Sequence, residues 1–208
     1  MSKRALTGGI IAVMLITTFF VWYFRVNGRP SASESLVIPS DWKHFSDPHG
    51  YVSLQIPPTW NSKVTGGSSF GGIQGSDQLT LISYLLQDAQ ANAGGDYSAI
   101  RIKLSVGPWT SDAMRRYMCQ QHFPDAQPRQ VGTLMGEESN NVIDLLTQRA
   151  YVRIAYTYPG APGITSSGAM KLGEEPTPVS DAERAAGKHI IDLILSSFRA
   201  IPNQSMTC

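Results

Sequence analysis

Few residue sets in this chain have the types and spacing for chemistry. Gly67-Ser68-Ser69-Phe70-Gly71 matches G-x-S-x-G, the pattern of a nucleophile elbow, in which a sharp strand-to-helix turn presents a serine hydroxyl. Here Ser69 lies among further glycines, Gly72 and Gly75, where a helix should begin, so the stretch Gly66–Gly75 reads as a Gly/Ser-rich loop. His44, Asp47 and His49 flank a proline-containing turn and could face one another across a hairpin as two imidazoles and a carboxylate around a transition metal. The competing reading is a polar hairpin tip whose Asp47 organises its own turn, and that reading is preferred. Glu137-Glu138 and Glu174-Glu175 are acidic pairs read as solvated loop charge, without the D-x-D-x-D-G spacing of a calcium loop. His122 reads as a cation at a helix end, and His189 as a packed residue of the last helix. The two cysteines, Cys119 and Cys208, have neither Cys-x-x-Cys nor Cys/His spacing. In an oxidising compartment they could pair and close a loop of about ninety residues; the alternative is one buried and one free thiol. No catalytic residue, cofactor or metal is therefore expected.

The elements that must position these residues begin with the strongest signal in the chain. Ala5 to Phe24 is a run of twenty residues without a charge, and as a helix it would span ~30 Å, the hydrocarbon thickness of a bilayer. Ile10, Leu15 and Phe19 supply its apolar body, and Trp22 and Tyr23 suit a helix end at the headgroups. A cleaved secretory signal would have a shorter apolar run and a small-residue cleavage site, so an uncleaved signal-anchor is expected. Lys3 and Arg4 place the N-terminus inside and the body outside, although Arg25 and Arg29 on the other flank argue the opposite. The division is a cytoplasmic tail (1–4), a transmembrane helix (5–24), a polar linker (25–40), a folded domain (41–201) and a C-terminal tail (202–208).

All sixteen acidic residues but only thirteen of the seventeen basic ones lie beyond Arg29, so the body carries a net charge of about −3. Without a basic stripe it is a poor nucleic-acid binder. Its pattern is mostly strand. Asp41–Ser46 and Tyr51–Ile56 flank turn chemistry and read as a hairpin; Leu79–Leu86 and Ile100–Val106 read as strands, the second by clean alternation. Gln87–Asp96 reads as a loop, and Ser111 as the cap of a helix through Met114, Tyr117, Met118 and Phe123. Gln130–Leu134, Asn141–Gln148 and Ala150–Tyr158 are three further strands. Ser180 caps a final helix whose stripe Ala186, Ile190, Ile191, Leu193, Ile194 and Leu195 should lie on the sheet. Trp42, Trp60 and Trp109 sit near strand ends and should plug the core. The sum is an α+β fold, an antiparallel β-sheet with helices packed on it. Pro159–Pro178 is a long Gly/Pro/Ser-rich loop; Pro159, Pro162, Lys171, Glu174 and Glu175 make it the expected partner-contact loop.

The stretch Phe45-Ser46-Asp47-Pro48-His49-Gly50-Tyr51-Val52-Ser53-Leu54-Gln55-Ile56-Pro57-Pro58-Thr59-Trp60 resembles the opening of PsbP/Mog1-like domains. In these a turn leads to a glycine and an aromatic, then a strand, a proline and a tryptophan. The close Ile194-Leu195-Ser196-Ser197-Phe198 is similar to the family's final helix. The resemblance implies an α-β-α sandwich and an extracytoplasmic accessory role, as in photosystem II subunits of the thylakoid lumen or DcrB-like bacterial envelope proteins. It carries over no catalytic motif. The leading expectation is thus a membrane-tethered, non-enzymatic interaction domain docking on a larger envelope or membrane protein complex. A small-ligand or lipid carrier using a cleft between sheet and helix is the alternative, and a serine hydrolase using Ser69 the second.

Overall fold

The structure, a computed structural model, describes residues 36–70, 78–89, 99–121, 125–161, 179–202 and 206. The chain forms two units, Met1–Leu36 and Val37–Cys208. The anchor residues Ile10, Leu15, Phe19, Trp22 and Tyr23 lie outside the described residues. Among those described, no helix is long and apolar enough to cross a membrane.

The second unit begins with the expected hairpin, β1 (Lys43–Ser46) and β2 (Val52–Ile56), followed by β3 (Trp60–Phe70), β4 (Leu79–Asp88) and β5 (Arg101–Pro108). Helix α1 (Asp112–Gln120) precedes β6 (Gln127–Val131), β7 (Leu134–Ser139), β8 (Val142–Leu146) and β9 (Ala150–Thr157). Helix α2 (Asp181–Ser197) and the short β10 (Arg199–Ala200) end the fold. Seven strands form one antiparallel sheet in the order β3-β4-β5-β9-β8-β7-β6, and β1-β2-β10 form a second. The fold is α+β.

Alternation decides which side of each strand is buried. On one face of the large sheet, Tyr84, Leu86, Ile102, Leu104, Val106, Ile143, Leu145, Val152 and Ile154 enter the main core. That core also takes Ile191, Ile194 and Leu195 of α2, Phe45, Val52, Leu54 and Ile56 of the small sheet, and Trp60 and Phe198. The space between α2 and the sheet is thus filled by side chains. On the opposite face a smaller cluster of Leu79, Leu81, Met114 and Tyr151, with Trp109, Tyr117 and Met118 beside it, seats α1. Trp42 and Trp109 are half-buried at the two cores, as expected of plugs; Trp109 also donates its indole N–H to the Thr147 carbonyl at 2.9 Å.

Both helices start as expected. Ser111 accepts from the Met114 N–H at 3.0 Å. Ser180 and Glu183 form a reciprocal capping box, which places α2 in register with the core. At the far end of α2, the Gln55 N–H donates to Ser197 Oγ at 2.8 Å and ties the helix to β2.

Several expectations are corrected. Gly66–Phe70 is not loop but the distal half of β3, paired with β4 past a bulge between Val64 and Gly66. Gln87 and Asp88 extend β4 rather than starting a loop. Gln130–Leu134 is not one strand: Val131 pairs with Leu134 across a two-residue turn, Gly132-Thr133, that joins β6 to β7. Gly132 has φ +60, as the first central position of a type II′ hairpin turn demands. Glu137 and Glu138 lie on β7 and not in a loop. Ala186 is exposed; Gly187 takes the buried place because a Cβ there would meet Tyr158 and Pro159 at 3.0 Å.

Two tyrosines are held neutral by their surroundings. Burial pushes the Tyr151 phenol up, and the Asp144 carboxylate that accepts its hydroxyl adds to the effect. Burial is also the main cause for Tyr156, followed by its hydrogen bond to Glu138. In the unfolded chain a tyrosine ionises near pH 10. A folded pKa raised above that value contributes stability that is complete below about pH 10 and lost as pH rises further. The unfolding free energy from urea titrations should therefore stay flat through neutral pH and fall above about pH 10, by up to about 1.4 kcal/mol per pH unit for each phenol. Tyr151→Phe should remove its own share of that slope, up to about 1.4 kcal/mol per pH unit; an unchanged alkaline slope would rule out this role.

Candidate functional site

Among the described residues, the main core covers one face of the seven-stranded sheet and α1 covers one end of the other. On the outer face α1 shields the end holding Leu79, Leu81 and Tyr151. Beyond it runs a cross-strand row: Lys63 stands opposite Leu85, Leu85 opposite Lys103, Lys103 opposite Ala155, and Ala155 opposite Val142. In the next row Gln87 stands opposite Arg101 and Arg101 opposite Thr157. Because these residues share one parity with Tyr151, their side chains stand on the α1 side of the sheet.

A groove of about 260 Å³ opens there, lined by Leu85, Arg101, Lys103, Ala155, Thr157, Val142, Tyr156 and the pair Asn140-Asn141. The wall at Asn140-Asn141 exists because the β7–β8 hairpin closes with a two-residue turn in which both residues have positive φ, 51° and 61°. This is type I′ geometry, which asparagine tolerates. Asn141 is buried, and its carbonyl accepts the Tyr156 N–H at 3.0 Å, so the turn is pinned to β9. Leu85, Ala155 and Val142 give an apolar floor, and among the described lining residues the charged ones are Arg101 and Lys103. Among the described residues, Asp144 on the same face is one row away and accepts from Arg153 Nε and Nη2 at 2.7 and 3.1 Å. In the same row as Arg153 and Asp144, Ser83 and Ser105 hydrogen-bond each other at 2.8 Å.

The residues singled out from sequence are not brought together there. Ser69 lies in the extended strand β3 opposite Thr80, not on a strand-to-helix turn. Asp47 is buried and accepts the backbone N–H groups of His49, Tyr51 and Val52 at 3.0, 2.6 and 2.8 Å, so it organises the hairpin tip. His44 is exposed on β1, and His49 stacks on Tyr51. Among the described residues no cluster of His, Cys, Asp or Glu could hold a metal. His189 is exposed on α2, and His122 lies outside the described residues. Glu138 accepts from Tyr156 and pairs with Arg129, which also reaches Asp192 of α2. Cys119, on α1, is disulfide-bonded; Cys208 lies outside the described residues. Of the five residues singled out in the expected partner loop, Pro159 is described, packed beside Gly187 of α2; Pro162, Lys171, Glu174 and Glu175 lie outside the described residues. Sequence reading missed the groove entirely. The one local signal for it was the clean alternation of Arg101 and Lys103 with Ile102 and Leu104.

Comparison with protein-family models, with curated proteins and with solved structures finds no match to this chain. The functional reading therefore rests on the residues themselves.

Proposed function

We propose that this chain is a membrane-tethered, extracytoplasmic, non-enzymatic accessory domain that docks on a larger envelope or membrane protein complex. The observation that carries this reading is the groove on the outer sheet face, where among the described residues the exposed Lys103 stands beside Leu85 and Ala155. Three further features support it. The uncharged Ala5–Phe24 run and polar linker would hold the domain near a bilayer. A helix on one face and a helix with a small sheet on the other match the α-β-α layering that the PsbP/Mog1-like resemblance implies.

The third feature is the disulfide at Cys119, which suits an oxidising compartment. Cys208 is the only other cysteine of the chain and its natural partner. The Met206 N–H donates to the Leu146 carbonyl at 2.9 Å, and Leu146 packs with the cluster beneath α1. This brings the tail within two residues of Cys208 to the helix that carries Cys119. Such a bridge would close a loop of about ninety residues, worth about 4–5 kcal/mol in the chain-entropy model.

Affinity purification of the full-length protein from membranes in mild detergent, after crosslinking, tests the reading. The same membrane-protein partner should be recovered in fixed proportion, and the protein should stay in the membrane fraction after carbonate washing. Recovery of the protein alone from the soluble fraction would overturn it.

A further inference from the structure

The chain enters its second unit at one flank of the fold, where two edge strands meet. Among the described residues, β1 stands at one end of the small sheet and β3 at one end of the large one. The two edges adjoin. Lys43 Nζ, at the start of β1, donates to the carbonyl of Trp60, at the start of β3, at 3.3 Å. The Phe45 ring meets Tyr84 edge-on at 5.5 Å, and Tyr84 stands opposite Val64. Asn61 through Gly67 are all exposed, Val64 to 59 %. Lys43 is exposed as well, and Val37, where the unit begins, is 79 % exposed. Neither strand contains an acidic residue. Asp41 precedes β1, and Asp88, opposite Trp60, accepts the Thr59 hydroxyl at 2.8 Å. The flank thus presents the ammonium groups of Lys43 and Lys63 beside two exposed valines. Lys63 and the bulge between Val64 and Gly66 are devices that discourage a further strand from adding to this edge.

The length of the tether and the charge of the flank name its occupant. The uncharged run ends at Phe24, and the twelve residues between it and Val37 reach at most about 40 Å even fully extended. A domain held that close to a bilayer meets it at high effective concentration, so a contact too weak to recruit a free protein suffices to orient a tethered one. We infer that the β1–β3 flank rests on the anionic headgroups of the bilayer that holds the anchor, with Lys43 and Lys63 at lipid phosphates and Val37 and Val64 at the apolar boundary beneath them. Each lysine at such a surface is worth roughly fivefold in partition, and the apolar side chains add to it. The inference rests on the tethered reading and adds an orientation to it. A sheet resting on its edge strand stands upright, so its outer face looks sideways along the bilayer, toward a neighbouring membrane protein.

The test uses isotope-labelled full-length protein in lipid nanodiscs, one copy per disc, doped with a lipid whose headgroup chelates gadolinium. Discs of phosphatidylcholine alone are compared with discs of phosphatidylcholine and phosphatidylglycerol at three to one. In the anionic discs the amides of 43–45 and 61–66 should be broadened most. Those of 129–131 on β6, at the opposite edge of the large sheet and about 30 Å away at ~4.8 Å between strands, should be broadened least. The contrast should shrink in phosphatidylcholine and as salt is raised. Lys63→Glu and Val64→Asp, both at exposed positions, should each reduce it severalfold, whereas Arg116→Glu on α1 should leave it unchanged. Uniform broadening, strongest broadening at β6, or a contrast unmoved by Lys63→Glu would overturn the inference. So would a contrast that appears only with two copies per disc, which would assign the flank to a second copy of the chain. Elution of the protein free of the discs would overturn the tethered reading and the inference with it; retention in the discs without a preferred flank would overturn the inference alone.

Discussion

Gly132→Ala is expected to lower the stability of the domain by about 3–5 kcal/mol, a large share of the 5–15 kcal/mol typical of a folded domain. Two costs combine at this position. The first is conformational: Gly132 has φ +60, and an L-residue there pays roughly 1–2 kcal/mol. The second is steric. A Cβ would run into the carbonyl oxygen of Phe198 and come within 3.1 Å of the Phe198 carbonyl carbon and of Arg199 Nη1. Neither backbone can give way easily. The Gly132 N–H donates to the Leu195 carbonyl at 2.8 Å, and Phe198 is 1 % exposed in the main core. Arg199, next in the chain, is paired with Ser53 of β2. Relief of the clash would therefore separate the β6–β7 hairpin from the end of α2, at an overpacking cost of about 1–3 kcal/mol or more. Gly50→Ala is the control: its φ is +68 but nothing lies within 4 Å of the added carbon, so only the conformational cost should appear. Thermal melts of the two variants separate the effects. Gly132→Ala should melt roughly 10 °C or more below the wild type and Gly50→Ala only a few degrees below. Equal melting of the two would show that the hairpin does not abut α2 in this way.

Asp47→Ala should be nearly as damaging, about 3–5 kcal/mol, through loss of hydrogen bonds rather than overlap. One carboxylate takes three backbone donors, and Val52 at the end of this turn is fully buried. A buried N–H deprived of its acceptor costs about 1–3 kcal/mol. The His49 N–H, at the exposed tip, can turn to water; those of Tyr51 and Val52 face inward and cannot do so as readily. Asp47→Asn retains one acceptor oxygen and should recover part of the loss. Hydrogen exchange gives a local readout: the Val52 amide should lose protection in Asp47→Ala well before the core amides of β9. Wild-type protection at Val52 in that variant would refute the assignment.

What could be read from sequence was whatever depends on neighbours in the chain. The β1–β2 hairpin, the alternation of β5, the β composition of β9 and the two serine caps are local signals, and each led to the right element. The distal half of β3 escaped because Gly66, Gly67, Ser68 and Ser69 have low intrinsic strand preference. Their extension comes from pairing with β4, and Gly67 suits it because a Cβ there would press on the Leu81 carbonyl at 3.2 Å. The β6–β7 turn was read as strand because Val131 and Leu134 look like one apolar run unless Gly132 is known to be left-handed. Gly187 was passed over for Ala186 because its reason, the close approach of Tyr158 and Pro159, comes from 29 and 28 residues away. The groove was illegible for the same cause at larger scale. Leu85, Lys103, Ala155 and Val142 come from four strands, and only the register of the sheet places them side by side.

Strand β5 passes under both halves of the outer sheet face, and this has an evolutionary consequence. Its inward residues, Ile102, Leu104 and Val106, are all buried, whereas outward burial begins only at Ser105 and Gly107; Arg101 and Lys103 remain at the groove. Substitutions at the exposed outward position, Lys103, can change the chemistry of this face without disturbing how the domain folds. Descendants of one ancestral domain could thus diverge in binding partner while every buried position stays under the same constraint. A saturation-mutagenesis scan of β5 would then show tolerance at every second position for the first half of the strand and at almost none thereafter.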